Sequence, residues 1–378
     1  MELKQVLEAM IEQKASDLYI TVDSPCMFRI DGELTPFGEK LHQSGVTALL
    51  DSIMDNDRRK EYRASRESNF AIESGEGRFR VSAFFQRDLP GAVIRHIETR
   101  IPTMDELGLP QSIKDLSLVK RGLVLVVGAT GSGKSTTLAA MVGHRNQTQR
   151  GHILTVEDPI EFVHQHNSSI VTQREVGLDT ESYEIALKNS LRQAPDMIVI
   201  GEIRTPETMR YAMTFAETGH LCVATLHANN ANQALERILH LVPKEQREHF
   251  LLDLSLNLKG IVAQQLLKDK QGQGRHLALE VLLATPRASE LVRQGEISEV
   301  KNYMSKTNNE GVCTFDNSLF QLVIDGKVSE EDALRSADSS NELRLKLKNH
   351  RGGDSSSSLD TVSIDMANPI DFRTSFRG

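Results

Sequence analysis

The residues best suited to chemistry are Gly128-Ala-Thr-Gly-Ser-Gly-Lys-Ser135, which carry the spacing G-x-x-x-x-G-K-S. Glycines at these intervals let the backbone N–H groups of Gly128, Ala129, Thr130, Gly131, Ser132, Gly133 and Thr136 curl around phosphate oxygens. Lys134 reaches the outer phosphates, and Ser135 offers a hydroxyl to Mg2+. Leu123–Val127, just before the loop, contains no charge, as a buried parallel strand requires. Thr136 to Met141, just after it, can begin a helix. Strand, loop and helix in that order predict a site for a nucleoside triphosphate.

Hydrolysis needs a carboxylate near the metal, an oriented water, and cations for the charge that builds on the phosphate. Met197-Ile-Val-Ile-Gly-Glu202 places an acid just past an apolar strand, where open α/β sheets bind ligands. Glu202 can hold a magnesium-bound water or act as the base. Glu157-Asp-Pro-Ile-Glu161 puts three acids on a loop, because Pro159 disfavours a continuing helix. One of these carboxylates can orient the attacking water. His220 and His227 flank the run Leu221–Leu226, and His227 stands at its C-terminal end, in reach of a γ-phosphate.

These groups must be positioned by a strand–helix alternation, and the sequence predicts one from Ile113 to about Leu345. Strands are expected at 152–157, 197–201, 221–226 and 277–283, and helices at 182–192, 205–217, 232–241, 246–265 and 329–335. Residues 1–100 read as a separate α+β unit. Leu3, Val6, Leu7 and Met10 define an amphipathic helix, and strands follow at 17–22, 26–32, 79–85 and 92–97, with a helical stretch over 45–63. Residues 101–112 form the linker, marked by Pro102, Gly108 and Pro110, and 113–349 form the second unit. From His350 to Gly378 the chain is polar, Ser-rich and aperiodic, the pattern of a disordered tail.

Composition narrows the function classes. No run approaches the ~20 apolar residues that a membrane-spanning helix needs, and the N-terminus does not read as a signal peptide. A net charge of −8 argues against broad nucleic-acid binding. Cys26, Cys222 and Cys313 are too far apart in sequence to suggest a zinc cluster or a disulfide framework. A cytoplasmic enzyme is the expectation.

Four blocks together resemble the secretion-type traffic ATPases, and within them the type IV pilus retraction group. They are residues 128–137, Thr155-Val-Glu-Asp-Pro-Ile-Glu-Phe162, Ile200-Gly-Glu-Ile-Arg204 and Gly219-His-Leu-Cys-Val-Ala-Thr-Leu-His-Ala-Asn229. In that family they are the Walker A loop, the Asp box, the Walker B strand and the His box. The resemblance covers about residues 1–345. It implies a small PAS-like α+β domain joined to a RecA-like P-loop ATPase domain, with ATP and Mg2+ as cofactors. It assigns Glu161 as the catalytic glutamate, Glu202 with Ser135 at the metal, and His227 to the His box. Arg80, Arg95 and Arg192 take the places of arginines that reach the phosphates, Arg80 and Arg95 from across the domain gap.

Lys188, Ala194 and Thr205 depart from the family pattern, and Arg287-Ala-Ser-Glu-Leu-Val-Arg-Gln294 alters a motif of the principal retraction motor. That altered motif and the Ser-rich tail point to the accessory retraction ATPase. The absence of paired Cys-x-x-Cys elements speaks against the type II secretion and pilus-extension members. The implied partners are five further copies in a homo-hexamer, a PilT-type motor, and a pilus platform protein at the cytoplasmic face of the inner membrane, with no nucleic acid. Two other readings stay open: a non-hydrolysing structural partner of such a motor, and a RecA-like nucleic-acid translocase.

Overall fold

The computed structural model describes residues 2–30, 32–75, 77–97, 100–272, 274–307 and 309–353. The fold is mixed α/β, built on two sheets. The first has six strands in the order β3-β2-β1-β6-β5-β4. They are β1 (Asp17–Thr21), β2 (Cys26–Ile30), β3 (Glu33–Phe37), β4 (Glu67–Ser74), β5 (Gly77–Gln86) and β6 (Leu89–Ile97), and every pairing is antiparallel. Helix α1 (Leu3–Glu12) buries the expected Leu3, Val6, Leu7 and Met10. The stretch expected as helical over 45–63 is two helices, α2 (Gln43–Asp51) and α3 (Asn56–Ser65). The second starts where the Asp55 carboxylate caps the amides of Asp57 and Arg58.

The second sheet has seven strands, ordered β13-β12-β7-β11-β10-β8-β9. Its centre is β7 (Gly122–Val127), β8 (Gly151–Glu157), β10 (Met197–Ile200) and β11 (Leu221–Leu226), all parallel. Alternate residues of β7 face opposite cores: Leu123, Leu125 and Val127 on one side, Val124 and Val126 on the other. Helices α4 (Gln111–Leu118) and α5 (Lys134–Thr148) contribute to the second core. The first core takes in α6 (Tyr183–Ser190), α7 (Pro206–Glu217) and α8 (Ala231–His240). A sheet buried on both faces explains the charge-free strand sequences.

Three expectations change. The helix expected over 246–265 is instead α9 (Arg247–Asn257) followed by β12 (Leu258–Lys268). β12 pairs on both sides, with β7 in parallel and with β13 (Arg275–Leu283) in antiparallel, and those ladders outweigh the helical spacing of the leucines. Between residues 162 and 181, where the sequence predicts no element, lies the edge strand β9 (Ser169–Glu175). The polar C-terminal stretch starts later than expected. Helices α10 (Pro286–Gln294), α11 (Ile297–Lys306), α12 (Phe315–Ile324), α13 (Glu330–Ser336) and α14 (Ser340–Gly353) follow β13, and residues 350–353 are the last turn of α14. The rest of the expected tail, 354–378, lies outside the described residues. Ser329 caps α13 as expected, accepting from the Asp332 amide.

Candidate active site

Because β7, β8, β10 and β11 are parallel and in register, their C-terminal ends meet at one edge of the sheet. The four following segments carry Lys134, Glu161, Glu202 and His227. They line a cavity of about 690 Å³, whose walls also include Ser135, Glu157, Tyr183, Arg204 and Arg95.

The loop after β7 turns into α5 at Gly133, whose φ of +88° is a left-handed conformation that a side chain disfavours. Lys134 is buried, and its Nζ donates to the carbonyls of Gly128 and Ala129, each at 2.9 Å. Burial lowers its pKa, and the nearby Glu202 carboxylate opposes that shift. The loop is held from behind by Gln264, fully buried on β12, whose amide donates to the Ser132 carbonyl at 2.7 Å. Gln264 escaped the sequence reading. The one signal for it is the pair Gln264-Gln265 interrupting the apolar residues of Ile261–Leu267.

Glu202 is held on both oxygens: Oε1 lies 3.1 Å from His227 Nε2, and Oε2 lies 2.7 Å from Arg204. The preceding Gly201 is a close approach, since a Cβ there would lie 2.8 Å from the Tyr183 hydroxyl and 3.2 Å from the Val156 carbonyl oxygen. The salt link to Glu202 raises the pKa of Arg204, and burial beside Asp158 raises that of Tyr183. Glu157 accepts from Thr155 at 2.6 Å and from Gln173 at 3.2 Å, yet burial still lifts its carboxyl above the usual range. Glu161, half-exposed, has a single ion-pair partner among the described residues, Arg80 Nη2 at 3.3 Å.

Arg80 and Arg95 are register partners on β5 and β6; Arg95 lines the cavity of the second sheet, and Arg80 reaches it through Glu161 on its wall. Arg95 anchors through Nε on the buried Asp17 at 2.8 Å, a bond that raises its pKa. Its terminal nitrogens have no hydrogen-bond partner among the described residues. Arg192 is placed differently. It is exposed on a 3-10 turn, Leu191–Gln193, and does not line the cavity. Arg275, at the start of β13, does line it. The antiparallel return of β13 beside β12 brings it there, which no local motif signals. His220 lies at the opposite end of β11 from His227, with Nδ1 3.1 Å from the Thr218 hydroxyl.

Ser135 and Glu202 present hydroxyl and carboxylate oxygens to the same cavity, the hard donors that Mg2+ takes together with phosphate oxygens and water. Among the described residues no cluster of three or more His, Cys, Asp or Glu side chains forms a metal site by itself. Gly133, Thr136, Leu266 and Arg275 also line an adjoining cavity of about 1140 Å³, walled by residues 105–108, β13 and α12. No helix among the described residues is long and apolar enough to cross a membrane.

A phosphate-binding loop, an acid at the end of the next strand but one, and arginines delivered by a separate sheet define a P-loop ATPase. Residues 1–335 match the family described as Type II/IV secretion system protein. The chain is 54% identical to the type IV pilus ATPase PilU of Pseudomonas aeruginosa over 352 residues, 92% of each chain. It is 41% identical to the retraction ATPase PilT of the same organism, over 89% of this chain and 98% of that one. The crystal structure of the pilus retraction motor PilT with bound ADP superposes with a TM-score of 0.86 at 38% identity, covering 91% of this chain and 99% of that one. The chain therefore belongs to the Type II/IV secretion family, among its PilT/PilU traffic ATPases.

Proposed function

We propose that this ATPase works as a homo-hexameric motor that drives type IV pilus disassembly, and hence twitching motility, from the cytoplasmic face of the inner membrane. Its role is accessory to a PilT-type motor, and its mechanical output goes to the pilus platform protein. The observation that carries this reading is the delivery of Arg80 and Arg95 from the first sheet to a hydrolytic cavity in the second. A site completed by two separate sheets changes whenever one moves against the other, and this couples chemistry to motion.

In this reading Lys134 and the amides of residues 128–136 hold the phosphates, and the adjoining cavity along β13 takes the nucleoside. Ser135 and Glu202 would hold Mg2+, which supplies charge neutralisation at the phosphates. Glu202 has both oxygens engaged by His227 and Arg204, so it is suited to orienting. Glu161 keeps one oxygen clear of ion-pair partners and is suited to accepting the proton of the attacking water. Arg95 and Arg80 stabilise the charge on the departing phosphate. Arg192, outside the cavity of its own chain, would serve a neighbouring subunit of the ring.

Two measurements test this. Purified chain should release phosphate from ATP in steady state, and Lys134→Ala should abolish release while leaving the circular dichroism spectrum unchanged. In cells lacking the protein, the wild-type chain should restore twitching and Lys134→Ala should not. Phosphate release by Lys134→Ala at the wild-type rate would refute the site.

A further inference from the structure

The Glu161 side chain is half-exposed and held by one ion pair, to Arg80, so its position depends also on its loop, and the loop is tied to β9. The amide of Ile160 donates to Glu175 Oε2 at 3.1 Å, a buried bond at the residue next to Glu161. Glu175 is itself fixed: its amide donates to Asp179 Oδ2 at 2.9 Å, and the Asp179 amide donates to its carbonyl at 2.8 Å. The ends of β8 and β9 are joined as well, with Val176 N donating to the Glu157 carbonyl at 2.8 Å.

The oxygen that takes the Ile160 amide has a second partner. Arg78 Nη2 lies 3.4 Å from the same Glu175 Oε2, and the two side chains are only 14% and 10% exposed. Arg78 belongs to β5 of the other sheet, two residues before Arg80, so the strand's period of two puts both arginines on one face. One strand thus delivers two cations to one loop. Arg80 meets Glu161 itself, and Arg78 meets the carboxylate that holds the neighbouring amide.

We infer that Arg78 and Glu175 are positioning residues, an interdomain latch through which the seating of the first sheet fixes the Glu161 loop. Neither residue lines the nucleotide cavity. The inference rests on the role proposed above for Glu161. Its physical basis is the cost of an unpaired carboxylate in an enclosed setting. Without the guanidinium, Glu175 turns toward water and releases the Ile160 amide. Glu73, 3.7 Å from Arg78 Nη1, is 78% exposed and cannot replace Glu175 as partner, and Arg78 Nε has no partner at all among the described residues. When the first sheet lifts, the Arg78 and Arg80 contacts break together, and the loop loses its setting as the arginines leave.

The test uses the full chain and two readouts: hydrogen exchange of peptides spanning 158–166, and steady-state ATPase kinetics. Arg78→Gln should speed exchange in that loop and lower kcat roughly 10- to 100-fold, as misplacement of a reacting group does, with KM changed less than about threefold. Glu175→Gln keeps an oxygen for the Ile160 amide and should recover much of the kcat lost in Glu175→Ala. The double variant Arg78→Gln/Glu175→Gln should lose less than the product of the two single losses. Glu73→Gln should match wild type in both readouts. Unchanged loop exchange in Arg78→Gln overturns the latch whatever its activity, and so does an equal loss of activity in Glu73→Gln. If Glu175→Ala does not fold, Arg78→Gln decides alone. If Glu161→Gln keeps full turnover while Arg78→Gln still loosens the loop, the role of Glu161 falls and the latch stands.

Discussion

Glu280 offers a quantitative test of how the His227 loop is anchored. It lies on β13 and is 2% exposed, with Oε1 accepting from the amide of Ala231, the first residue of α8, at 2.8 Å. The amide of Phe315 approaches Oε2 at 3.5 Å. α8 begins four residues after His227, so this carboxyl group fixes the far end of that loop. Burial, helped by the nearby Asp338, pushes its pKa up to about 7, while the two amides and Lys301 pull the other way. The folded chain therefore keeps a proton that the unfolded chain releases above its ordinary value of 4.5. Stability is lost as pH rises from about 4.5 to 7, and the full rise corresponds to about 3 kcal/mol. Glu280→Gln keeps the oxygen for Ala231 and carries no charge at any pH. At pH 5 it should unfold within ~1 kcal/mol of wild type, and at pH 8 it should be more stable by about 3 kcal/mol. Burial raises the pKa of Asp316 too, so some slope of the same sign remains in the variant. Thermal unfolding midpoints at pH 5, 6, 7 and 8 measure this. Parallel curves for wild type and variant would refute the reasoning.

Further outcomes follow from the same geometry. Glu161→Gln should bind ATP nearly as wild type does, measured by a fluorescent analogue, and turn over ~10²-fold or more slowly. If Glu161→Gln hydrolyses normally while Glu202→Gln is dead, the two acids exchange roles. Gly201→Ala places a methyl group against the Tyr183 hydroxyl and the Val156 carbonyl, so it should cost ~1–3 kcal/mol and displace Glu202. A thermal midpoint and ATPase rate equal to wild type would count against that contact. A chain ending at residue 353 should assemble with a non-hydrolysable ATP analogue as the full chain does, measured by light scattering. Failure of that truncation to assemble while still folded would give residues 354–378 a structural part.

What the sequence made legible divides along physical lines. β7, β10 and β11 are buried on both faces, so their apolar runs stand out, and the glycines and acids that follow them mark the cavity by position alone. β3, β4 and β9 do not stand out. β3 lies at a sheet edge with Pro36 inside it and is largely exposed, and β9 ends Thr172-Gln-Arg-Glu175, with no apolar alternation to read. The leucines of α9 run into those of β12, and only the ladders on both sides of β12 decide where the helix stops. α14 is not legible because Leu343, Leu345 and Leu347 alternate with lysine and arginine as in a strand, while only Leu343 and Leu347, one helical turn apart, are buried.

The least legible residues are those whose role depends on contacts far along the chain. Arg78 and Glu175 are 97 positions apart, and Gln264 and Ser132 are 132 apart. Arg78, Glu175 and Gln264 each read locally as an unremarked polar residue of a strand. A motif records what a residue must do for the ligand beside it, such as Lys134 for a phosphate. It does not record what holds that residue still. The backbone of the phosphate loop rests on Gln264, and the Glu161 loop rests on Glu175, so residues outside the recognised blocks set the geometry inside them. A side chain that never touches the nucleotide should then change kcat more than KM. Among the arginines of β5, that criterion separates Arg78, which acts through the loop, from Arg80, which reaches Glu161 directly.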